Sequence, residues 1–190
     1  MPGRRLNTPL SREAAADLRA GDLVLLSGLV YTARDAAHQR LARLLDLNLP
    51  LPFDPEGAVL YYVGPTPAPP GRVIGSAGPT TSGRMDGLTP RLHALGLRAT
   101  IGKGPRGPQV LKALQEHTAV YFGATGGAGA LLSTHITEAA ILAFPDLGTE
   151  AIRRLRVREL PLLVINDCLG GELYALPNPA ARPRDSAYSI

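Results

Sequence analysis

The order of apolar and polar positions along the chain predicts strands that alternate with helices. Leu23 to Tyr31 is a continuous apolar run suited to a strand, and residues 58–64 form a second such run. Between them, apolar residues recur at helical spacing in a segment that begins at Thr32 or Arg34. The same patterns predict helices at 11–18, 88–95, 108–116 and 129–135 and strands at 72–76, 98–101, 119–122 and 160–165.

This alternation predicts an α/β layered fold. No internal repeat and no long linker divides the chain, so we expect one domain over residues 1–176. The proline-rich residues 177–190 are expected to form a poorly ordered tail. The pattern does not decide the structure of two stretches. Residues 138–143 suit a helix or a strand, and the arginine-rich residues 153–158 suit a helix end or the solvent face of a strand.

The composition narrows the class of protein. With 45% hydrophobic and 19% charged residues, the 190-residue chain is globular, and its 21 glycines and 18 prolines indicate many turns. Its single cysteine, Cys168, excludes an internal disulfide and is expected at the end of a buried strand. An iron–sulfur cluster usually needs three or four thiolates, so any such cluster must be held by another chain.

Charge and hydropathy limit the partners of the protein. The formal net charge is only +4, and most of the basic residues are scattered, so we expect no nucleic-acid surface. The N-terminal segment lacks the apolar core of a signal peptide, and no stretch approaches the ~20 apolar residues of a membrane span. We therefore expect a cytoplasmic protein with no membrane partner.

The segment GPTTSGRMD at 78–86 is suited to binding an anion. Thr80 and Thr81 present hydroxyls, and Gly83 lets the backbone approach a ligand. Arg84 adds a cation with a bidentate fork that matches a carboxylate or a phosphate. The alternative is a turn whose threonines cap the next helix and whose arginine is solvated.

The segment GKGPRG at 102–107 adds a second cation. The chain has only two lysines, Lys103 and Lys112, among 20 basic residues, and the first lies between two glycines. A lysine there gives a compact charge where an arginine fork would not fit, which indicates a ligand. The alternative is a solvated loop lysine, and Lys112 is assigned to a helix surface.

The segment TARDAAHQR at 32–40 combines a cation, an acid and a base. A helix that begins there places Arg34 and His38 four residues apart on one face, with Asp35 three residues before the histidine. Histidine is readily poised for proton transfer near neutral pH. The Asp–His pair is also an ordinary helix-stabilising contact.

The glycine-rich segment GATGGAGALL at 123–132 follows a predicted strand. It lacks the Gly-Lys-Ser/Thr of a P-loop and the glycine spacing of a dinucleotide fold. A tight strand-to-helix turn, or a backbone surface near a ligand or partner, fits these residues better. A nucleotide-dependent enzyme is the alternative that this segment leaves open.

Six motifs together resemble a known family, the β subunit or C-terminal domain of class I iron–sulfur fumarate hydratases and L(+)-tartrate dehydratases. The resemblance implies a swivelling β/β/α domain that closes over a [4Fe–4S] cluster. It also implies that an α subunit of a hetero-oligomer binds the cluster and that this chain ligates no metal. The motifs, in the family's order, are TARDAAHQR, YYVGP, GSAGPTTSGRMDG, IGKGPRG, YFGATGGAGALL and VINDCLGGELY.

The resemblance also implies a reaction, the reversible elimination of water from a C4 dicarboxylate, with iron as the Lewis acid on the departing hydroxyl. Thr80 is the implied proton-abstracting group, His38 is the alternative, and the sequence does not decide between them. The implied catalytic residues are Thr80, His38 and Asp35, and the implied substrate-binding residues are Arg34, Thr81, Arg84 and Lys103.

Two further alternatives concern the substrate and the function. The residues Ser82 to Asp86 resemble the fumarase side of the family more than the tartrate side, so fumarate and malate are the expected substrates and tartrate is the alternative. The alternative to an enzyme is a non-catalytic anion-binding or regulatory paralogue of the same fold.

Overall fold

The computed structural model describes residues 3–124 and 128–175, which form a mixed α/β fold. The strands are β1 (Arg4–Asn7), β2 (Leu23–Thr32), β3 (Val59–Tyr61), β4 (Ala99–Gly102), β5 (Val120–Gly123), β6 (Ile136–Ala143) and β7 (Ile152–Asn166). The helices are α1 (Arg12–Ala16), α2 (Asp35–Asp46), α3 (Thr89–Ala94), α4 (Pro108–Glu116) and α5 (Gly129–Thr134). Short 3-10 turns lie at Ser82–Met85, Pro145–Glu150 and Leu173–Ala175.

The strands form one mixed sheet in the order β1-β2-β3-β4-β5-β7-β6. The pairs from β1 to β5 are parallel, and β7 is antiparallel to both β5 and β6. β7 also pairs antiparallel with β2, so that β2, β3, β4, β5 and β7 close into a ring. Parallel pairing places the carboxyl ends of β2, β3 and β4 at one edge of this ring, the edge where α/β folds bind ligands.

The hydrophobic core is divided by the sheet. Side chains alternate between the two faces of each strand, and one buried cluster draws residues from all five ring strands, among them Leu26, Tyr61, Ile101, Phe122 and Leu162. A second cluster packs α2 and α3 against β3, and a third packs α4 against β5. α2 and α3 therefore cover the outer face of β3, one of the strands whose ends form the edge.

All five helices predicted from the sequence are confirmed, with small shifts at their ends. At α1, the hydroxyl of Ser11 accepts a hydrogen bond from the Ala14 backbone N–H at 3.1 Å, as expected of an N-cap. α2 begins at Asp35, directly after Arg34. Of the two starts that the pattern left open, Arg34 is confirmed as the N-cap, and Thr32 is wrong because it is the last residue of β2.

The predicted strand at 72–76 is wrong. Thr66 holds this part of the chain as a local loop, because its carbonyl accepts from the Gly75 N–H at 3.2 Å and its hydroxyl accepts from the Ser76 N–H at 2.8 Å. Although Val73 is 51% exposed and Ile74 is buried, as in a strand, residues 72–76 pair with none of the seven strands that the structure describes.

Both stretches that the sequence left open are strands. Residues 138–143 fall within β6, and residues 153–158 fall within β7. In β7 charged side chains alternate with buried apolar ones, so the arginine-rich stretch is the solvent face of a strand. Its exposed arginines are Arg154, Arg156 and Arg158.

Some predictions lie outside the described residues. They include the tail at 177–190 and the middle of the glycine-rich segment, residues 125–127. Within the described ranges, no helix is long and apolar enough to cross a membrane. The domain boundary at residue 176 and the cytoplasmic location stay predictions.

Asp167 anchors the chain that follows β7, and we predict that Asp167→Asn lowers the stability of the fold. This carboxylate is 4% exposed and accepts hydrogen bonds from the backbone N–H groups of Ala20, Leu169 and Gly171 at 2.8–2.9 Å. An amide would turn an NH2 group toward one of these donors. We expect the free energy of unfolding, measured by urea titration, to fall by about 1–3 kcal/mol.

Asp54→Asn is the matched control, because exposed Asp54 accepts a single hydrogen bond from the Glu56 N–H and an amide oxygen can replace it. We expect its free energy of unfolding to change by less than about 0.5 kcal/mol. Equal urea midpoints for the wild type and Asp167→Asn would contradict the anchoring role.

Candidate active site

Arg34 lies at the edge of the ring, at the N-cap of α2 and just after β2. The Ala33 N–H donates to the Tyr61 carbonyl at 3.2 Å, which holds this turn beside the end of β3. The guanidinium of Arg34 lies against Gly64, where an added Cβ would come within 2.6 Å of Nη1. Glycine at position 64 therefore leaves the space that the guanidinium occupies.

Asp35 lies between two guanidinium groups. Its Oδ2 is 3.1 Å from Nη2 of Arg84 and 3.8 Å from Nη2 of Arg34. Arg84 comes from the 3-10 turn Ser82–Met85, and its side chain is about half exposed. The carboxylate is thus placed to hold both arginines at the edge, and its polar contacts are with them rather than with His38.

His38 is buried beneath this edge, with only 5% of its surface exposed. Its Nδ1 lies 3.0 Å from the Arg34 carbonyl oxygen, and because a carbonyl only accepts, Nδ1 carries the proton. Nε2 is buried and has no hydrogen-bond partner among the described residues. Burial lowers the pKa of His38 to about 4, so the imidazole is neutral at pH 7.

Thr80, Thr81 and Lys103 are brought together by backbone hydrogen bonds. The Thr80 N–H donates to the Tyr62 carbonyl at 2.7 Å, and the Lys103 N–H donates to the Thr80 carbonyl at 3.2 Å. The Ser82 N–H donates back to the Lys103 carbonyl at 2.9 Å. This pairing extends the edge beyond β3 and β4. Thr80 is half-buried, whereas Thr81 and Lys103 are exposed.

The edge therefore gathers residues from three separate motifs of the sequence. Arg34 and Asp35 follow β2, Lys103 follows β4, and Thr80 and Arg84 belong to the segment that pairs between them. A pocket of about 240 Å³ opens on one side of this edge, beside Asp35, His38 and Arg84, and Thr80 and Lys103 do not line it. Three cations and two hydroxyls at one edge suit an anion with more than one carboxylate.

Sequence reasoning missed the buried pair Asp86 and Arg106. The Nε of Arg106 lies 2.8 Å from Oδ1 of Asp86, and both side chains are almost fully buried. The signal was present, since each of the two segments predicted to bind an anion, GPTTSGRMD and GKGPRG, contains one of these opposite charges. The pattern gave no reason to place either charge in the interior.

Within residues 3–124 and 128–175, no three His, Cys, Asp or Glu side chains come together in a way that could hold a metal ion. Cys168 is buried just past β7, the strand-end position expected from the sequence. Burial raises the pKa of its thiol.

Comparison with known proteins gives a family match over most of the chain. The family model described as fumarase C-terminus matches residues 4–176. The putative L(+)-tartrate dehydratase subunit beta of Methanocaldococcus jannaschii is 36% identical over 171 residues, which cover 87% of this chain and 88% of that protein. The L(+)-tartrate dehydratase subunit beta of Escherichia coli is 33% identical over 175 residues, 90% of this chain and 86% of that protein.

Longer relatives match through one part of their length. The fumarate hydratase 2 of Leishmania major is 36% identical over 166 residues, which cover 86% of this chain and 29% of that protein. The chain thus spans less than a third of the fumarate hydratases that it matches.

The buried state of His38 predicts a loss of stability in acid. Its pKa is about 4 in the folded chain, and the ordinary value near 6.5 holds in the unfolded chain, which therefore takes up more protons between these pH values. The stability that each such neutral histidine contributes is fully present above pH 6.5. As the pH falls toward 4, the free energy of unfolding decreases by about 3 kcal/mol for each of them. Burial lowers the pKa of His93 to about 4 as well.

Urea titrations between pH 7 and pH 4 test this prediction. We expect His38→Gln and His93→Gln each to remove about half of the wild-type loss that buried histidines cause, and the double variant to remove nearly all of it. A His38→Gln curve parallel to the wild type would show that this histidine is not held neutral by the fold.

Proposed function

The chain belongs to the fumarase C-terminus family, and on that premise we propose that it is the β subunit of an iron–sulfur-dependent hydro-lyase. It reversibly adds or eliminates water on a C4 dicarboxylate, with fumarate and malate as the preferred pair and tartrate as the alternative. The observation that carries this proposal is the edge to which the ends of β2, β3 and β4 bring Arg34, Arg84 and Lys103 together with Thr80 and Thr81.

The three cations bind the two carboxylates of the substrate. Arginine forks match a carboxylate through two parallel hydrogen bonds, and a lysine supplies a point charge. Exposed Lys103 and Thr81 stand beside each other in the paired backbone, so one can neutralise a carboxylate while the other donates a hydroxyl hydrogen bond to it. The cations also stabilise the charge that builds up on a carboxylate when the adjacent C–H bond breaks.

Thr80 takes the proton in this proposal, and His38 has a positioning role. In the dehydration direction, the Thr80 oxygen accepts the proton from the carbon next to one carboxylate, a double bond forms, and the hydroxyl leaves the neighbouring carbon. Thr80 is half-buried and lies at the edge itself. His38 is only 5% exposed, and it donates to the carbonyl of Arg34, whose side chain binds the substrate in this proposal. Lys103 and Arg84 are the charges that favour the deprotonated threonine.

The departing hydroxyl is not assigned to any residue of this chain. With one cysteine, the chain cannot supply the thiolates of a cluster, and we place the [4Fe–4S] cluster in a partner α subunit. The match to proteins named as β subunits over 86–88% of their length supports such a hetero-oligomer. A swivelling motion of this β/β/α domain would then close the edge over the partner.

Lys103→Met tests the binding role without the partner. We expect the dissociation constant of the full chain for fumarate, followed by NMR titration, to rise about 10- to 100-fold because a charge-assisted hydrogen bond is lost. Lys112→Met is the matched control, since this exposed helix lysine pairs with Glu116, and its constant should stay within about twofold of the wild type. Equal dissociation constants for the two variants would show that Lys103 does not bind fumarate.

Thr80→Ala tests the proton-transfer role in the complex with a co-expressed α subunit prepared without oxygen. We expect kcat for malate dehydration to fall by at least about 100-fold, the contribution of a general base, with little change in fumarate binding. Thr137→Ala, which removes an exposed hydroxyl from β6, is the control. Near-normal turnover by Thr80→Ala would eliminate the threonine as the base, and binding without turnover in the wild-type complex would favour the anion-binding paralogue.

A further inference from the structure

A buried network that the proposed chemistry does not use lies directly beneath the two substrate-binding segments. At its centre is the guanidinium of Arg106, whose Nε donates to Asp86 at 2.8 Å and whose Nη1 donates to Thr100 at 3.0 Å. Its Nη2 donates to Thr89 at 3.0 Å, and its carbon lies 5.3 Å from the ring centre of Tyr62. Every branch of the guanidinium is thus held by a different element of the fold.

The network reaches the site segments through Tyr121. Arg106 makes a second cation–π contact with Tyr121, whose ring centre lies 5.0 Å from the guanidinium carbon. Its hydroxyl donates to the Gly104 carbonyl at 2.9 Å, so the Ser82 hydroxyl, also at 2.9 Å, donates to Tyr121. Gly104 follows Lys103 and Ser82 follows Thr81, so one hydroxyl ties the two site segments together.

The carboxylate of Asp86 makes a second link between the same segments. It accepts from Arg106 and from the Gly107 N–H, and Asp86 itself directly follows the turn that carries Arg84. A buried ion pair contributes little net stability, since removing two charges from water costs about as much as their attraction returns. When all of its hydrogen bonds are made, such a pair fixes the positions of the segments that carry the two charges.

We propose that Arg106 is a positioning residue that sets the separation of Thr80 and Thr81 from Lys103. Held by Asp86, it keeps the segment at 78–86 and the segment at 102–107 in one arrangement, so that hydroxyls and ammonium meet the same carboxylate. This inference rests on the proposed function for its ligand, and on the network alone for its effect on the two segments.

Arg106→Lys in the full chain tests the role, because lysine keeps the charge but cannot reach Asp86, Thr100 and Thr89 together. Arg98→Lys is the matched control. Arg98 is equally buried at the opposite end of β4, where it bonds Glu56 and the His117 carbonyl. Both variants lose one buried fork, and only the first loses contacts with the site segments.

We expect Arg106→Lys to raise the dissociation constant for fumarate at least tenfold, measured from the NMR signals of folded molecules. Amide exchange at Ser82 and Lys103 should accelerate at least tenfold. Arg98→Lys should leave both quantities within twofold of the wild type. If Arg106→Lys does not fold, Tyr121→Phe removes only the bridging hydroxyl, and both effects should appear at threefold or more. Ser133→Ala is its control, because it removes a buried hydroxyl that bonds only the Ala130 carbonyl within α5.

Wild-type binding and wild-type exchange in folded Arg106→Lys, or in Tyr121→Phe when that variant is used, would overturn the proposal. Equal effects of Arg98→Lys or Ser133→Ala would overturn it as well, since the role would then be general stability. A wild-type chain that does not bind fumarate would refute the proposed function, and the exchange of the two amides would still decide the role of Arg106.

Discussion

The arrangement of the whole chain depends on one strand that pairs with three others. Over 15 residues, β7 pairs with β2, β5 and β6. β2 and β5 are the first and last strands of the parallel set β2-β3-β4-β5, and their shared pairing with β7 closes this set into a ring. The register then sets Thr32 beside Tyr61 and Tyr61 beside Ile101, so that β2, β3 and β4 end level with one another. The chain segments that follow these strands are thereby gathered at one edge.

Opposing charges keep that edge cationic without driving its cations apart. Asp35 lies within 3.1 Å of one guanidinium and 3.8 Å of another, and Glu150 lies 3.7 Å from Arg34. Two arginines that shared the edge without a carboxylate would repel each other and turn toward solvent. With Asp35 between them, their forks stay oriented without a ligand, and exposed Lys103 leaves the edge with a net positive charge.

Local patterns predicted what depends on local sequence. The helix starts at Ser11 and Arg34 were predictable because capping and periodicity involve residues within one turn of each other. Apolar Val73 and Ile74 led to the prediction of a strand at 72–76. That prediction is wrong because Thr66, outside the segment, holds the residues that follow them in a loop. The burial of His38 and the pairing of Asp86 with Arg106 depend on contacts between distant parts of the chain, which a local pattern does not contain. For this reason the base could not be decided from the sequence, and the buried network was not predicted.

Solvent exposure explains why a site of this kind would need a second chain for more than its cluster. In this chain Thr81 and Lys103 are exposed and Arg84 is about half exposed, so water screens the charges that would favour a deprotonated Thr80. The same charges act several times more strongly once water is excluded. On the proposed function, closure against the partner therefore both brings the metal centre to the substrate and turns a weak base into one able to take a proton from carbon.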